Sequence, residues 1–438
     1  MNDRKPLLLI AINEVSFDAV KTYLEHGVKL PNFKVLIDGV CRTTSSEAEY
    51  SLLEPWIQWP SIYTGQAYDE HAVFRLGDSI TCSSEQIFER LERAGYKVGV
   101  VSPMNAANRL KQPAYFIPDP WTQTHSDKSL LSRFLTPAIR QVVNDNSEGR
   151  LKTQSVLAFA AAFFYSVPIS EYFELAKLVL SSRSATWRRA IFFDEFLHHV
   201  HLKLWSKYKP DFSMIFFNAC AHIQHHYFHN STAVTSEAKN PGWYVDQASD
   251  PLLEVLQSYD RLLGEFRNRC DAEFIIVTGL SQIPTKVPQF YYRLRRHDEF
   301  LRELGIRFQT VEPRMTRDFL VSFGSMSQAR VASKKLENIR LSCGTPIFGE
   351  IDQRGHELFI TLTVASEITE NTVVECEGQV VNLAPHVVFV ALKNGEHSGV
   401  GTAAFLGAGI EKNAPAEGSH VATVNGAILN YFNISGAA

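Results

Sequence analysis

The sequence predicts an α/β protein built on a mostly parallel sheet with helices on both faces. Three apolar runs carry this prediction, residues 6–12, 211–219 and 272–280, because strands that are buried on both faces are almost continuously apolar. Segments with helical spacing separate the runs, and strands that alternate with helices are typical of parallel sheets.

The segments between the runs contain recognisable helix signals. After residues 6–12, the segment SFDAVKTYLEHG has Ser16 as a predicted N-cap and Gly27 as the end of the helix. Residues 84–103 repeat the order of helix, glycine and strand. A strongly amphipathic helix is predicted over residues 250–269, between the last two runs.

Two regions interrupt the alternation. Residues 125–208 are helical in pattern, whereas the later segment around residues 340–400 alternates in the way that antiparallel hairpins do. The predicted organisation is a first part of the α/β domain (1–124), a helical insertion (125–208), a second part of the domain (209–339), a β-rich insertion (340–394) and a final part of the domain (395–438).

Composition limits the classes of partner. The chain has 438 residues, 45% of them hydrophobic and 21% charged, as in a soluble globular protein, and its net charge of −4 argues against a general nucleic-acid binder. None of the six cysteines forms a CxxC pair, which argues against a zinc knuckle. The apolar stretch 156–167 is about half the length of a membrane span. We therefore expect a cytoplasmic protein that binds neither nucleic acid nor a membrane; the oligomeric state does not follow from the sequence.

Polar residues follow the predicted strands. Ligands of open α/β sheets bind at the carboxyl ends of the strands, so these residues are candidates for a functional site. They are Asn13 and Glu14, Asn105, the histidine-rich segment NACAHIQHHYFHN (218–230), and Ser281 with Gln282.

Three further segments carry a resemblance to a known family. LPNFKVLIDG (30–39), TGQAYDEHAV (64–73) and GEHSGVGTAAFLGAGI (395–410) occur in this order. The order resembles the alkaline phosphatase superfamily, specifically its type I phosphodiesterase/nucleotide pyrophosphatase branch. The resemblance implies an alkaline phosphatase-like fold and the hydrolysis of a phosphate or sulfate ester. It also implies two divalent metal ions held by acidic residues and histidines, with a Thr, Ser or modified Cys as nucleophile.

The chain departs from this pattern at several positions. Asn13 stands where the family has its first Asp, and Pro55 stands at the nucleophile. His222 stands where the family has an Asp, and Leu280-Ser281 replace an Asp-His pair. Only His226 and His397 match the family's metal ligands in kind, so we expect an atypical site.

The histidine-rich segment has two interpretations. If residues 219–230 are helical, its four histidines share one face, either as a polar surface stripe or as a metal site. In the second interpretation, His222, His226 and His397 hold one divalent ion (zinc, iron or manganese) with Glu14 as a carboxylate partner. The remaining two histidines, His225 and His229, are then expected at the surface or behind the ligands.

The other candidates are assigned roles by their positions in the chain. Glu54 is a candidate general base, with Gln58 and Asn13 positioning substrate or water, while two tryptophans in the same turn are expected in the core. The expected substrate-binding residues are Glu14, Ser281, Gln282, Asn105 and Arg75, although Asn105 would also suit a loop and Arg75 a surface ion pair.

The expected function is therefore a metal-dependent hydrolase acting on a small phosphorylated or sulfated molecule. The alternative is a catalytically inactive alkaline phosphatase-like protein that binds a phosphorylated metabolite or a protein partner. Missing ligands and nucleophile favour the alternative, whereas the polar residues kept at three strand ends favour the enzyme.

Overall fold

A computed structural model describes residues 4–144, 152–235, 238–314 and 317–434. The chain forms two compact units. The first comprises Met1–Glu237, Pro241–Pro284 and Gly395–Ala438, and the second comprises Ala238–Asn240 and Thr285–Asn394. The strand-rich segment expected over 340–394 thus lies in a larger second unit, whose main segment is Thr285–Asn394.

The strands, in chain order, are β1 (Leu7–Ile12), β2 (Val40–Ser45), β3 (Val98–Val101), β4 (Tyr115–Ile117), β5 (Phe212–Phe217), β6 (Glu273–Val277), β7 (Ser281–Leu294), β8 (Thr310–Pro313), β9 (Asp318–Ser322), β10 (Arg340–Leu341), β11 (Asp352–Arg354), β12 (Glu357–Thr361), β13 (Val373–Cys376), β14 (Gln379–Asn382), β15 (Val387–Ser398) and β16 (Val400–Leu406).

The α-helices are α1 (Phe17–Glu25), α2 (Pro31–Asp38), α3 (Pro55–Thr64), α4 (Tyr68–His71), α5 (Ile87–Arg93), α6 (Leu130–Asn144), α7 (Thr153–Ser166), α8 (Tyr172–Ser181), α9 (Arg188–Tyr208), α10 (Ala219–Tyr227), α11 (Pro251–Arg269), α12 (His297–Glu303), α13 (Met326–Glu337), α14 (Ala408–Glu411) and α15 (Thr423–Tyr431). Ser16 caps α1, and its hydroxyl accepts the amide of Ala19, as predicted.

The first unit contains a seven-stranded sheet in the order β2-β16-β6-β1-β5-β3-β4. β1 pairs in parallel with both β5 and β6, and β3 continues the parallel arrangement to β4. Only β16 runs against its neighbours β2 and β6. The predicted mostly parallel sheet is therefore confirmed, with its three apolar runs as the adjacent strands β6, β1 and β5.

Both faces of the sheet are covered. The even-numbered residues of β1, from Leu8 to Ile12, pack into one core with residues of α1, α2, α9, α10 and α11. The odd-numbered residues, from Leu7 to Ala11, pack into a second core with residues of α3, α5 and α15. Alternate side chains of a strand point to opposite faces, so helices on both faces account for its unbroken apolar sequence.

The second unit has its own core and two antiparallel sheets, in the orders β11-β12-β9-β8 and β10-β13-β14. α12 and α13 contribute Phe300 and Ala329 to that core. The segment expected to be helical contains α6 to α9. Among the described residues, no single helix is long and apolar enough to cross a membrane.

Candidate active site

Four adjacent strands of the first unit bring their ends to one edge of the sheet. β1, β6 and β5 end there, and β16 begins there because it runs in the opposite direction. The chain immediately beyond these ends supplies Asn13 and Glu14, Gln282, α10, and His397. This is the edge at which the sequence predicted a site.

Glu14 is held by the sheet itself in an unusual backbone conformation. The amide of Asn13 donates to the carbonyl of Phe217 at 3.0 Å, and the amide of Glu14 donates to that of Thr278 at 3.0 Å. Glu14 has a φ of 59°, a left-handed conformation that side chains other than glycine seldom adopt. Such strain is concentrated at functional sites, which makes Glu14 a candidate functional residue.

The carboxylate of Glu14 meets two histidines. Its Oε2 atom lies 3.2 Å from Nε2 of His225 and 3.2 Å from Nε2 of His397. The two imidazole nitrogens are 3.3 Å apart. The three ligand-type atoms therefore form a nearly equilateral triangle that combines one oxygen with two nitrogens.

The triangle has the dimensions of a tetrahedral metal site. Metal–ligand distances of about 2.0–2.1 Å place the ligand atoms of a zinc tetrahedron about 3.3 Å apart. The observed edges of 3.2 to 3.3 Å match that spacing. Two histidines and one carboxylate are also a donor set of catalytic zinc and of non-haem iron. These three residues fit one divalent ion with a fourth position left for water or substrate.

Burial and charge act on Glu14 in opposite directions. The residue is 1% exposed, and burial by itself raises the pKa of its carboxyl group. The charges and hydrogen bonds of His397 and His225 outweigh burial and hold that pKa well below its ordinary value. The carboxylate is therefore ionised, as a metal ligand must be.

A second carboxylate, that of Glu54, lies on the side of the His397 ring away from Glu14. Oε2 of Glu54 is 3.5 Å from Nδ1 of His397, the ring nitrogen that is not directed at Glu14. Glu54 is the N-cap residue of α3, and Pro55 follows at the first helical position. Pro55 therefore begins a helix, and Glu54, the residue before it, contacts His397.

Asn13 is held by three side chains. It accepts a hydrogen bond from the indole of Trp59 at 2.8 Å and donates to Oε1 of Glu14 at 3.0 Å and to Oδ1 of Asn218 at 2.9 Å. Trp59 is fully buried, as expected, and packs edge-on against Phe216. Asn13 thus orients the Glu14 carboxylate through Oε1, the oxygen that does not contact the histidines.

Two glutamines fix Glu14 from the other side. The side-chain amide of Gln282 donates to Oε2 of Glu14 and to the carbonyl of Ala221, the latter at 3.1 Å. Gln224 donates to the backbone oxygen of Glu14 at 2.7 Å and accepts from the amide of Ser16 at 3.0 Å. Both glutamines are completely buried. The predicted site residue Gln282 is therefore a partner of the carboxylate.

The structure selects a different histidine of α10 from the pair predicted. His222 is exposed and packs on the ring of His226 at 4.8 Å between centroids, whereas His225 joins Glu14 and His397. The sequence placed His225 at the surface or behind the ligands, whereas the structure brings it to Glu14, because the buried Ala221 and Gln224 set the rotation of the helix. His225 is four residues after Ala221, on the face directed at the sheet edge. Neither His222 nor His226 belongs to the group formed by Glu14, His225 and His397.

The remaining candidates lie elsewhere. The amide of Gln58 is buried and donates to Leu52 and Glu47. The side chain of Asn105 accepts a hydrogen bond from the amide of Gly77 and donates to the carbonyls of Trp56 and Arg75. These bonds suit a structural role in the loop rather than substrate binding. Of the last two candidates, Arg75 is exposed and Ser281 is half-buried at the start of β7.

A second group of potential ligands is less suited to a cation. His198, His199 and Glu265 lie close together between α9 and α11. However, Nη1 of Arg261 is 2.8 Å from one oxygen of Glu265, and Nη1 of Arg269 is 3.9 Å from the other. Two guanidinium groups on the only carboxylate of the group repel a metal ion.

A serine–histidine contact near the site is also structural. Nε2 of His71 lies 3.0 Å from the hydroxyl of Ser61, but the amide of Val73 donates to Nδ1 of the same ring at 2.9 Å. The neutral ring therefore carries its proton on Nε2 and donates to Ser61, whose hydroxyl donates to Ile57. Burial lowers the pKa of His71 to about 4, which keeps the ring neutral. His71 consequently cannot activate Ser61 as a nucleophile.

No protein-family model and no curated protein matches the chain. Among solved structures, it is similar to phosphonoacetate hydrolase from Sinorhizobium meliloti 1021 (13% identity, TM-score 0.45, covering 98% of this chain and 96% of that one). It is also similar to human ectonucleotide pyrophosphatase/phosphodiesterase 5 (12%, 0.45, 99% and 96%) and to alkaline phosphatase from the Antarctic bacterium TAB5 (8%, 0.44, 99% and 99%). The identities and TM-scores are too low for functional residues to be carried over.

Proposed function

We propose that this protein is a metal-dependent hydrolase of a phosphate or sulfate ester, with a single divalent ion held by Glu14, His225 and His397. The observation that carries the proposal is the triangle of ligand atoms, with edges of 3.2, 3.2 and 3.3 Å. A carboxylate with two imidazoles suits zinc and iron, and zinc is the ion to test first.

The donor set supports one ion rather than two. Two adjacent cations require several carboxylates, and in the described part of the chain this group contains only Glu14. A bound zinc ion would supply Lewis-acid polarisation of the ester and would lower the pKa of water towards about 7. The protein's own contribution is orientation: Asn13 and Gln282 hold the Glu14 carboxylate, and Glu54 holds the ring of His397.

The nucleophile we propose is water. Pro55 stands at the position that the family uses for attack, and the hydroxyl of Ser61 accepts a hydrogen bond from His71 and donates its own proton to the carbonyl of Ile57, so His71 is not available as a base to activate it. Hydrolysis adds water across the bond between phosphorus, or sulfur, and the ester oxygen, and it releases an alcohol and the free anion. The side chain of His225 is 28% exposed, so the ligand triangle is reachable from solvent.

The test is elemental analysis of untagged protein purified without chelators. We expect about one equivalent of zinc in the wild type and in His222→Ala, and less than a tenth of that in His225→Ala. Nitrophenyl phosphate, phosphodiester and sulfate substrates should then be cleaved by the first two proteins only. Absence of metal from the wild type after zinc has been added back would reject the metal site, and bound zinc without turnover would reject the hydrolase.

One observation favours the second candidate, an inactive protein that binds a phosphorylated metabolite or a protein partner. Glu14 already has hydrogen-bond partners from Asn13 and Gln282 and ion pairs with both histidines, which is a stable arrangement without chemistry. Saturable binding of phosphorylated metabolites to the zinc-loaded protein, without release of product, would support it.

A further inference from the structure

The helices α7 and α8 of the first unit expose an extensive apolar surface. The most exposed side chains are Leu157 and Phe164 of α7, Ile169 in the turn between the helices, and Phe173 and Leu180 of α8, each between 64% and 81% exposed. A soluble protein rarely leaves a continuous apolar patch uncovered, so this surface requires an occupant.

The order of large and small residues in α7 is the reverse of that in a core helix. Its buried residues are the small Ala162 and Ser166, whereas Leu157 and Phe164 face outwards. Phe159 and Phe163 cover the inner side by packing on Phe196 of α9. The helix is therefore apolar on both sides, and the side chains of Leu157 and Phe164 stay exposed although α6 and α9 both pack on the helix.

The composition of this segment matches a lipid environment. No charged residue occurs between Lys152 and Glu171. Together, Thr153–Ser166 and Ile169–Ser181 have the length and apolar character of a membrane-spanning segment, but they are bent by 116° at the break. A bend of this size suits a pair of helices that lies in one face of a bilayer.

The charges around the apolar surface favour anionic lipid. Among the described residues, four exposed basic residues flank it, against the exposed Glu174 and the half-buried Glu171; they are Lys152, Lys177, Arg183 and Arg189. Lys203 places its ammonium group 5.0 Å from the ring centre of Tyr165. The chain as a whole has a net charge of −4, so this local excess of basic groups is a property of the segment.

We infer that α7 and α8 dock on the surface of an anionic lipid bilayer, with Phe164, Ile169 and Phe173 inserted among the acyl chains. The exposed basic groups then lie at the level of the lipid headgroups, where long side chains reach the phosphates. This inference does not depend on the proposed hydrolase activity, and it departs from the sequence-based expectation that the chain binds no membrane.

The experiment is flotation of the full chain with vesicles of phosphatidylcholine alone and of equimolar phosphatidylcholine and phosphatidylserine. We expect the wild type to float with the mixed vesicles. The triple variant Phe164→Ser/Ile169→Ser/Phe173→Ser should lose at least about tenfold in partitioning, since three inserted side chains are removed. Lys177→Glu/Arg183→Glu should weaken binding to the mixed vesicles only.

A matched control removes equally exposed apolar side chains from the second unit, Met326→Ser/Val331→Ser/Val380→Ser, and should float as the wild type does. Circular dichroism establishes that each variant is folded. The inference is overturned if the wild type does not float, or if the first triple variant floats equally well. A wild-type dimer that the first triple variant dissociates, measured by light scattering without lipid, would instead assign the surface to a second copy of the chain.

Discussion

Nδ1 of His397 lies 3.5 Å from Oε2 of Glu54, while Nε2 of the same ring lies 3.2 Å from Oε2 of Glu14. The imidazole is thus held between two carboxylates, one in the ligand triangle and one outside it. A carboxylate behind a ligating histidine fixes the tautomer and orientation of the ring and increases its basicity. We therefore regard Glu54 as a positioning residue.

Glu54→Gln should lower the affinity for zinc by about 10- to 100-fold, because the ring loses its charged partner. Competition with a chromogenic chelator measures this affinity, and the exposed Glu49→Gln is the control. Loss of ester hydrolysis with unchanged zinc affinity would contradict the positioning role and favour a general base, as the sequence suggested.

Gly395→Ala should disturb the residues that hold the Glu14 carboxylate. A Cβ atom at this position would overlap Oε1 of Gln282 and lie 2.8 Å from the backbone oxygen of Gln224. Gln282 would have to move away from Glu14, so we expect a loss of about 1–3 kcal/mol in the free energy of unfolding together with weaker zinc binding. Urea denaturation and chelator competition measure the two effects.

The control is Gly426→Ala in α15, where a Cβ atom meets nothing within 4 Å and alanine favours the helix. It should be neutral or stabilising. Unchanged stability and unchanged zinc affinity in Gly395→Ala would show that the contact with Gln282 is unimportant.

Trp59→Phe should destabilise the first unit. The indole donates to Oδ1 of Asn13 at 2.8 Å inside a fully buried environment, so the variant leaves an acceptor without its donor and creates a cavity. We expect a loss of about 2–4 kcal/mol in the free energy of unfolding. Trp56→Phe, at a half-buried residue that donates to Phe74 at 3.2 Å, should cost less than about 1.5 kcal/mol. Equal losses in urea denaturation would argue against a special role for the bond to Asn13.

Glu47 should make stability depend on acid pH. Burial pushes the pKa of Glu47 upwards, but hydrogen bonds from His420 and Gln58 outweigh burial and lower that pKa from 4.5 to about 2. The ionised carboxylate therefore stabilises the folded state above about pH 4.5, and this contribution is lost as the pH falls towards 2.

We expect Glu47→Gln to lower the free energy of unfolding by about 2 kcal/mol at neutral pH, a value reduced from the full shift because the group is partly solvated. The difference from the wild type should shrink between pH 4.5 and 2, as measured by urea denaturation across that range. A difference that stays constant with pH would contradict the assignment, and Glu49→Gln should show no difference at any pH.

The local pattern of the sequence determined the sheet, its central strands and the edge that carries the site. Apolar runs and helical spacing are properties of neighbouring residues, which is why β1, β5, β6 and α11 could be predicted with few errors in their bounds. The resemblance to a known family directed attention to His397, and the end of the first strand directed it to Glu14, although neither could show how the two residues meet.

Only the tertiary structure decided which histidine joins them. Positions 14, 225 and 397 are distant in the chain, and their distances depend on the rotation of α10 and on the left-handed turn at Glu14. Four histidines on one helix look equivalent in a sequence, but a helix packed through Ala221 and Gln224 presents His225 to the sheet edge and His222 to solvent. Which histidine joins Glu14 and His397 is therefore set by packing, which periodicity alone does not specify.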